Sequence, residues 1–232
     1  MALSAETGQL YDVEFKIMKK GLLIGFFLVA LLPVIGQEDY IQVLTKRADK
    51  IVSTLGITDS VQYIRVRSIL VNQYVTLGKI HDGADTSLGE INSSDKPVAV
   101  KDSLSNIIKL RREASLYTLH CAFVALLYGE LTCEQVEAVR NGMTYDVLNV
   151  TFKAQLDMIP RLTDEEKRQI RIWLLEAREH AMDAASSEEK HAWFGKYKGR
   201  INNYLSERGY DLERERAGWN ERIRAGNSQT TR

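Results

Sequence analysis

Apolar residues recur at intervals of three and four positions along almost the whole chain from Tyr40 onward. This spacing is the period of an α-helix with one buried face, and no segment alternates convincingly with the period of two expected of a half-buried β-strand. The sequence therefore predicts an all-α fold, a single-domain bundle of seven or eight helices. The predicted helices cover residues 40–55, 57–81, 102–128, 131–142, 145–159, 162–184, 187–209 and 211–224.

The segment Asp82–Lys101 interrupts the helical pattern. It contains Gly83, Gly89 and Pro97 together with several serines, and these residue types favour turns over helix interiors. We therefore predict a loop or a frayed helix end that is longer than most connections between helices.

The N-terminal segment has the layout of a secretory signal peptide. The basic stretch Met18–Lys20 precedes the apolar run Gly21–Leu32, and Pro33–Gly36 provides tolerated residues for cleavage before Gln37. Because the run has only 12 residues, it is too short to span about 30 Å of hydrocarbon, and we expect no stable membrane anchor after cleavage. The expected location is periplasmic or secreted. The expected boundaries are an upstream mis-start at 1–17, the signal peptide at 18–36, the all-α domain at 37–225 and a disordered tail at 226–232.

The charge balance argues against a nucleic-acid partner, and the cysteine positions argue against a disulfide. The chain has 31 basic and 31 acidic residues, and this balance argues against nucleic acid, whose phosphates require a basic surplus or patch. The two cysteines, Cys121 and Cys133, fall on successive predicted helices at positions too far apart for a disulfide. We predict two free thiols, and the sequence leaves the oligomeric state open.

The predicted helix Ser187–Gly209 carries two interior glycines, Gly195 and Gly199, each costing about 1 kcal/mol relative to alanine. At about 100° per residue, one arc of this helix is aromatic and apolar and is predicted to be core: Trp193, Phe194, Tyr197, Ile201, Tyr204 and Leu205. The opposite arc is small and polar: His191, Gly195, Lys198, Gly199, Asn202 and Ser206. We predict that another helix or a ligand lies close to this second arc.

The pattern Leu-Thr-x-x-Gln/Glu occurs at Leu131–Gln135 and at Leu162–Glu166. Its physical meaning is a capping box, in which the threonine hydroxyl and the acidic or amide side chain satisfy each other's backbone N–H groups. Exported helical chaperones also carry repeated motifs of this kind, so kinship with such a chaperone or scaffold is a second interpretation.

Two histidines have informative neighbours in sequence. His120 lies within an apolar stripe and is predicted to be a core histidine with one hydrogen bond. His180 has Glu176 and Asp183 at helical spacing, so a carboxylate could fix its tautomer for proton transfer or ligand contact. The alternative for His180 is a solvated ion pair.

Familiar catalytic and metal-binding patterns are weak in this sequence. Glu188-x-x-His191 has the spacing of di-metal carboxylate bundles, but those sites need a second such motif, and we predict no metal site and no cofactor. The sequence has no phosphate-cradling glycine loop, nucleophile elbow or cysteine-based zinc pattern. An enzyme is therefore less expected than a binding protein, although an unfamiliar enzyme stays open.

Three segments are distinctive: EKHAWFGKYKGRINNYL at 189–205, EAREHAMDA at 176–184 and NGMTY at 141–145. Together they resemble a secreted bacterial domain family of unknown function, found in Gram-negative polysaccharide degraders and labelled only as candidate sugar-binding proteins. The resemblance covers roughly Glu38 to Trp219 and implies a location and a ligand class, without catalytic residues to transfer. Two departures are Cys133, where a proline is usual, and the glycine- and serine-rich 82–101 segment, where the family tends to continue in helix.

The leading hypothesis is an exported helical protein that binds carbohydrate, including acidic oligosaccharides, during polysaccharide utilisation. Aromatic faces, planar amide and guanidinium groups, and charges are the features that bind sugars. The predicted ligand-binding residues are Glu176, His180, His191, Trp193, Lys198, Arg200, Asn202 and Asn203. The alternatives are the chaperone or scaffold, and a carbohydrate-active enzyme that uses Glu176 or Asp183 with His180.

Overall fold

The structure, a computed structural model, describes residues 38–230, with side chains described to residue 225. The predicted upstream segment and signal peptide lie outside the described residues. The described residues fall into two units, which divide between Arg47 and Ala48. Residues 38–47 of the first are helical, and residues 48–230 of the second contain the other helices. The helices are α1 (38–52), α2 (Ser60–Ser93), α3 (Val98–Glu130), α4 (Cys133–Met143), α5 (Val147–Met158), α6 (Asp164–Met182), α7 (Ser187–Glu207) and α8 (Leu212–Thr230).

The described residues confirm the all-α prediction, since they contain eight helices and no β-strand. Both predicted capping boxes are present. The N–H of Gln135 donates to the Thr132 hydroxyl over 3.3 Å, and the Thr132 N–H donates to the Gln135 amide oxygen over 3.1 Å. Thr163 and Glu166 repeat the arrangement at the start of α6, with 3.3 Å and 2.9 Å. These reciprocal bonds explain why α4 and α6 begin where the sequence predicts.

The predicted loop at Asp82–Lys101 is wrong for most of its length. Helix α2 continues to Ser93, and α3 already begins at Val98, directly after Pro97. Helix α2 tolerates Gly83 and Gly89 because both face open space, and its packing against α3 outweighs a propensity cost of about 1 kcal/mol for each glycine. The predicted tail is also shorter than expected, because the α8 backbone stays helical to Thr230.

One hydrophobic core cluster lies between α5, α6 and α7. Of the arc predicted to be core on α7, Phe194, Tyr197, Ile201 and Leu205 are buried, which confirms the inward orientation of that arc. Trp193, at the edge of the same arc, is only half-buried. It packs against the core and still presents part of its ring outward.

The opposite arc of α7 does not meet another helix. A Cβ added to Gly195 or to Gly199 would have no described atom within 4 Å outside its own helix. The predicted close approach is therefore absent from the described residues, and neither glycine is required for helix packing.

Replacing Gly195 or Gly199 with alanine is expected to raise the free energy of unfolding by about 1 kcal/mol each, since alanine removes the entropic cost of glycine in a helix. Urea denaturation measures the change. Gly142→Ala is the matched control, because its Cβ would lie 3.1 Å from two side-chain carbons of Ile51 and should destabilise α4. A loss of stability in Gly199→Ala would contradict the open face.

Cys121 and Cys133 are free and exposed, as predicted. Within residues 38–230, no helix has the combination of length and hydrophobicity needed to cross a membrane.

Candidate functional site

A cavity of about 820 Å³ lies among α2, α3, the C-terminal end of α6 and the first half of α7. Its lining combines three kinds of side chain: histidines, carboxylates and two aromatic rings, together with one arginine and one lysine. We refer to the charged part around His120 as the floor and to the aromatic part around Trp193 as the wall.

The floor is built around His120 of α3, which lies between two carboxylates. Its Nδ1 is 2.9 Å from Oδ2 of Asp183, and its Nε2 is 3.2 Å from Oε2 of Glu179. Because a carboxylate accepts, both ring nitrogens carry a proton and the ring is an imidazolium. The hydrogen bond to Asp183, followed by that to Glu179, raises the pKa of His120 to about 10. His120 therefore carries a positive charge at neutral pH, between two carboxyl groups that oppose it.

Asp183 follows the last residue of α6 and is held from two sides. Its carboxylate accepts from His120, and its backbone carbonyl accepts from Nε2 of His81 over 2.8 Å. Its second oxygen, Oδ1, is buried and has no hydrogen-bond partner among the described residues. Asp183 lines the cavity, although its Oδ1 atom is shielded from solvent.

A buried arginine supports the floor from behind. Arg178 donates to Glu137 over 2.7 Å and to the side-chain oxygen of Asn141 over 2.8 Å, both on α4. It also donates to Glu179 over 3.0 Å. Burial opposes ionisation of Glu179, but the hydrogen bond from His120 and the positive charges of the neighbouring arginines lower its pKa below the ordinary value. Glu179 is thus a carboxylate that bridges Arg178 and His120.

The wall is an aromatic stack centred on Trp193. The imidazole of His180 lies against the indole, with ring centroids 4.3 Å apart and planes within 15°. The ammonium of Lys196 is 4.9 Å from the Trp193 ring centroid, a cation–π distance. Tyr117 of α3 also lines the cavity and is 73% exposed.

Two cations and two acids complete the lining. Arg112 of α3 has a long ion pair of 4.0 Å with Asp85, and Lys196 lies over Trp193. The Glu189 carboxylate accepts from the backbone N–H of Ala185 over 3.0 Å, and Glu113 is exposed. Both cations therefore remain available to an anionic ligand.

Of the eight predicted ligand-binding residues, the cavity brings together only His180 and Trp193. Glu176 pairs with Arg200 over 3.7 Å, and the Arg200 guanidinium lies 4.7 Å from the ring centroid of Trp173. His191 stacks on Tyr145 with a centroid distance of 5.7 Å. Lys198 and Asn203 are exposed on α7 and Asn202 is half-buried there; none of the three lines the cavity.

Two predictions about histidine partners are wrong. His120 is not a core histidine with one hydrogen bond, because two carboxylates hold it. Asp183 pairs with this histidine of α3, rather than with His180 on its own helix. Burial of the α6–α3 contact favours the long-range pair. A charged pair three residues apart on a helix surface is worth only about 0.2–0.5 kcal/mol.

Sequence reasoning missed His81, Arg112, Tyr117 and Glu179 as cavity residues. One signal was visible: Glu179 and Asp183 are four residues apart and share a face of α6. No sequence pattern indicates that His120 faces them, because it lies on another helix. Among the described residues, no group of three or more histidine, cysteine, aspartate or glutamate side chains is placed to hold a metal ion.

A family model described as "Protein of unknown function (DUF3826)" matches residues 41–225, which include α2 to α7 entirely. A comparison with curated proteins finds no match.

Proposed function

Because the chain belongs to the DUF3826 family of proteins of unknown function, we propose a function from its cavity: it binds a saccharide there, including acidic oligosaccharides. The observation that carries this proposal is the half-buried Trp193, backed by His180 and bordered by Lys196. The proposal includes a periplasmic or secreted location and a role in polysaccharide utilisation, both resting on the N-terminal sequence and the family resemblance.

The wall has the character of a sugar platform. A sugar ring presents an apolar face of C–H groups, and an aromatic ring held rigidly loses little entropy when it packs against that face. Trp193 packs against the core with part of its ring, and His180 stacks on one face of the indole at 4.3 Å. The cavity volume of about 820 Å³ lies within the range of about 300–1,000 Å³ typical of small-molecule sites.

The floor offers the polar complement of a polyhydroxylated ligand. Hydroxyl groups donate to carboxylates, and Glu179 and Asp183 both line the cavity. Glu179 and Asp183 both accept a hydrogen bond from His120, so they suit hydrogen-bond acceptance better than proton donation. This arrangement favours a binding protein over the alternative of an enzyme that requires a neutral carboxylic acid.

The cations favour an acidic sugar. Of the four acids in the lining, Glu179, Asp183 and Glu189 already have partners within the protein, and Glu113 is exposed. Arg112 and Lys196 have, by contrast, only a long ion pair and a cation–π contact. A carboxylate on the ligand would therefore gain attraction without displacing a strong internal pair.

Trp193→Ala is expected to weaken saccharide binding by at least about 30-fold, the value of 2 kcal/mol that defines a binding hot spot. Calorimetric titration with neutral and uronate-containing oligosaccharides measures the affinity. Trp173→Ala is the matched control, because Trp173 packs against Tyr204 and Arg200 outside the cavity.

Three outcomes would contradict the proposal: no oligosaccharide of the panel binds, Trp193→Ala binds as tightly as the wild type, or both tryptophan variants lose affinity equally. If no saccharide binds while the protein keeps an unfolded client soluble, the chaperone alternative replaces the sugar proposal.

A further inference from the structure

Helix α3 carries a second long stripe of apolar residues besides the one that packs inside the protein. Its positions are spaced alternately by three and four residues from 100 to 128, and eight of the nine are apolar or cysteine. These nine residues, called the α3 stripe, are Val100, Ser103, Ile107, Leu110, Ala114, Tyr117, Cys121, Val124 and Tyr128.

The larger side chains of the α3 stripe are more exposed than is usual for apolar residues that recur on one face of a helix. Val100 is 44% exposed, Ile107 45%, Leu110 64%, Tyr117 73% and Tyr128 49%. The two residues that α3 buries within the protein, Phe123 and Leu127, belong to a different face. Within the described part of the chain, the α3 stripe is thus left uncovered over about four helical turns or more.

The spacing indicates what kind of surface fits the α3 stripe. A strict repeat of 3.5 residues is the period at which two helices pack continuously, each side chain entering a gap in the facing helix. A charge-free stripe has no group that would select an oppositely charged partner. We propose that the α3 stripe packs antiparallel against the α3 stripe of a second copy of this chain, giving a two-fold symmetric dimer.

The area of the α3 stripe agrees with a reversible dimer. Its 29 residues extend over about 42 Å, and a helix about 10 Å wide gives on the order of 400 Å² of flat contact per copy. Interdigitating side chains bury more than this flat area, so two copies approach the roughly 1,200 Å² at the lower limit of stable interfaces. A dimer of this size dissociates on dilution.

Charges beside the α3 stripe agree with one antiparallel register. When Ala114 of one copy faces Tyr117 of the other, a small residue meets a large one on both sides of the two-fold axis. The same register places Glu113 beside position 120 of the second copy, where His120 already donates both ring N–H groups to its own Asp183 and Glu179. Arg111 then faces the hydroxyl of Thr118, and no two like charges meet.

The adjacent register is unfavourable. Sliding one helix by seven residues would place Leu110 opposite Ala114 of the second copy. It would also bring Arg111 close to Arg111 of the second copy, and Glu113 close to Glu113. Like charges facing each other across a helix pair destabilise it. The first register is therefore the one used in the experiment below.

The first test is the mass of the full chain by light scattering across a dilution series in the micromolar range. We expect the wild type to shift from two copies to one on dilution, and Leu110→Glu to stay at one copy throughout. Val150→Glu is the matched control: Val150 is 62% exposed but lies on α5, so this variant should dimerise like the wild type.

Several results would overturn the proposal. They are a wild type with the mass of one copy at every concentration, a Leu110→Glu variant that dimerises normally, and a Val150→Glu variant that loses the dimer equally. The proposal would also be overturned if the full chain is monomeric while a shortened variant that begins at Gln37 is dimeric. The residues before Gln37 would then cover the α3 stripe.

The second test examines the register. In the proposed arrangement Leu110 faces Cys121 of the second copy, so Leu110→Cys should form a covalent dimer under mild oxidation. The double variant that also carries Cys121→Ala should not. A dimer by light scattering that gives no Cys121-dependent covalent dimer in Leu110→Cys would overturn the antiparallel register.

Discussion

Replacing Arg178 with methionine is expected to lower the free energy of unfolding by about 3–5 kcal/mol, the usual cost of removing one partner of a buried ion pair. Arg178 is 1% exposed, and its guanidinium holds Glu137 and Glu179 in a fork of short hydrogen bonds. Methionine fills a similar volume but removes the buried cation that both carboxylates share, leaving Glu137 with Arg140 and Glu179 with His120 and Arg140. The floor of the cavity should lose its support from α4 at the same time.

Urea denaturation at neutral pH measures this loss. Arg178→Lys keeps the charge but not the planar fork, so we expect an intermediate loss of stability. Arg65→Ala is the control for removing an arginine ion pair at the surface, because the Arg65 side chain is 49% exposed where it contacts Glu130 over 2.9 Å. It should cost no more than about 1 kcal/mol. Equal losses in Arg178→Met and Arg65→Ala would contradict the buried network.

The protein is also expected to lose a few kcal/mol of stability as the pH rises from about 6.5 to about 10. Asp183 and Glu179 raise the pKa of His120 from 6.5 in the unfolded chain to about 10 in the fold. Between these two pKa values, the folded protein holds a proton that the unfolded chain has released. The contribution of His120 to the free energy of unfolding is therefore fully present below the lower pKa and declines toward the higher one. The side chain is 18% exposed, and solvent screening keeps the effect below the full value of the shift.

Urea midpoints measured at intervals across this pH range test the expectation. Lysine and tyrosine groups also titrate near the upper end, so the informative quantity is the difference between the wild type and His120→Gln. That difference should be largest at about pH 6.5, the lower end of the range, and should shrink as the pH approaches 10. A constant difference across the range would mean that His120 is not protonated in the fold.

The sequence predicted those elements of the fold that depend on neighbouring residues. Thr132 and Thr163 start helices by bonds to residues three positions away, and such bonds are legible in a linear pattern. The end of α2 was mispredicted because Gly83 and Gly89 were weighed only by local propensity. The packing of α2 on α3, which outweighs that propensity, involves residues distant in sequence.

The candidate site was less predictable than the helices, because it depends on contacts between residues that are distant in sequence. Trp193 and His180 were identified because each belongs to a helix whose faces can be drawn from the sequence. The bond between His120 and Asp183 joins residues 63 positions apart, and no periodicity connects them. The six other predicted residues have polar or aromatic side chains that suit a sugar. They nevertheless lie on parts of α6 and α7 that do not line the cavity. Core packing sets the rotation of each helix about its axis, and this rotation decides which side chains face the cavity.

Tyr117 belongs both to the α3 stripe and to the cavity lining. A saccharide and a second copy of the chain would therefore contact the same side chain, and the two equilibria would be thermodynamically linked. Linkage is reciprocal: whatever factor dimerisation applies to the affinity for the saccharide, saturation with the saccharide applies to the affinity between copies. The apparent saccharide affinity would then depend on protein concentration, a dependence that a protein with separate surfaces for the two partners would lack.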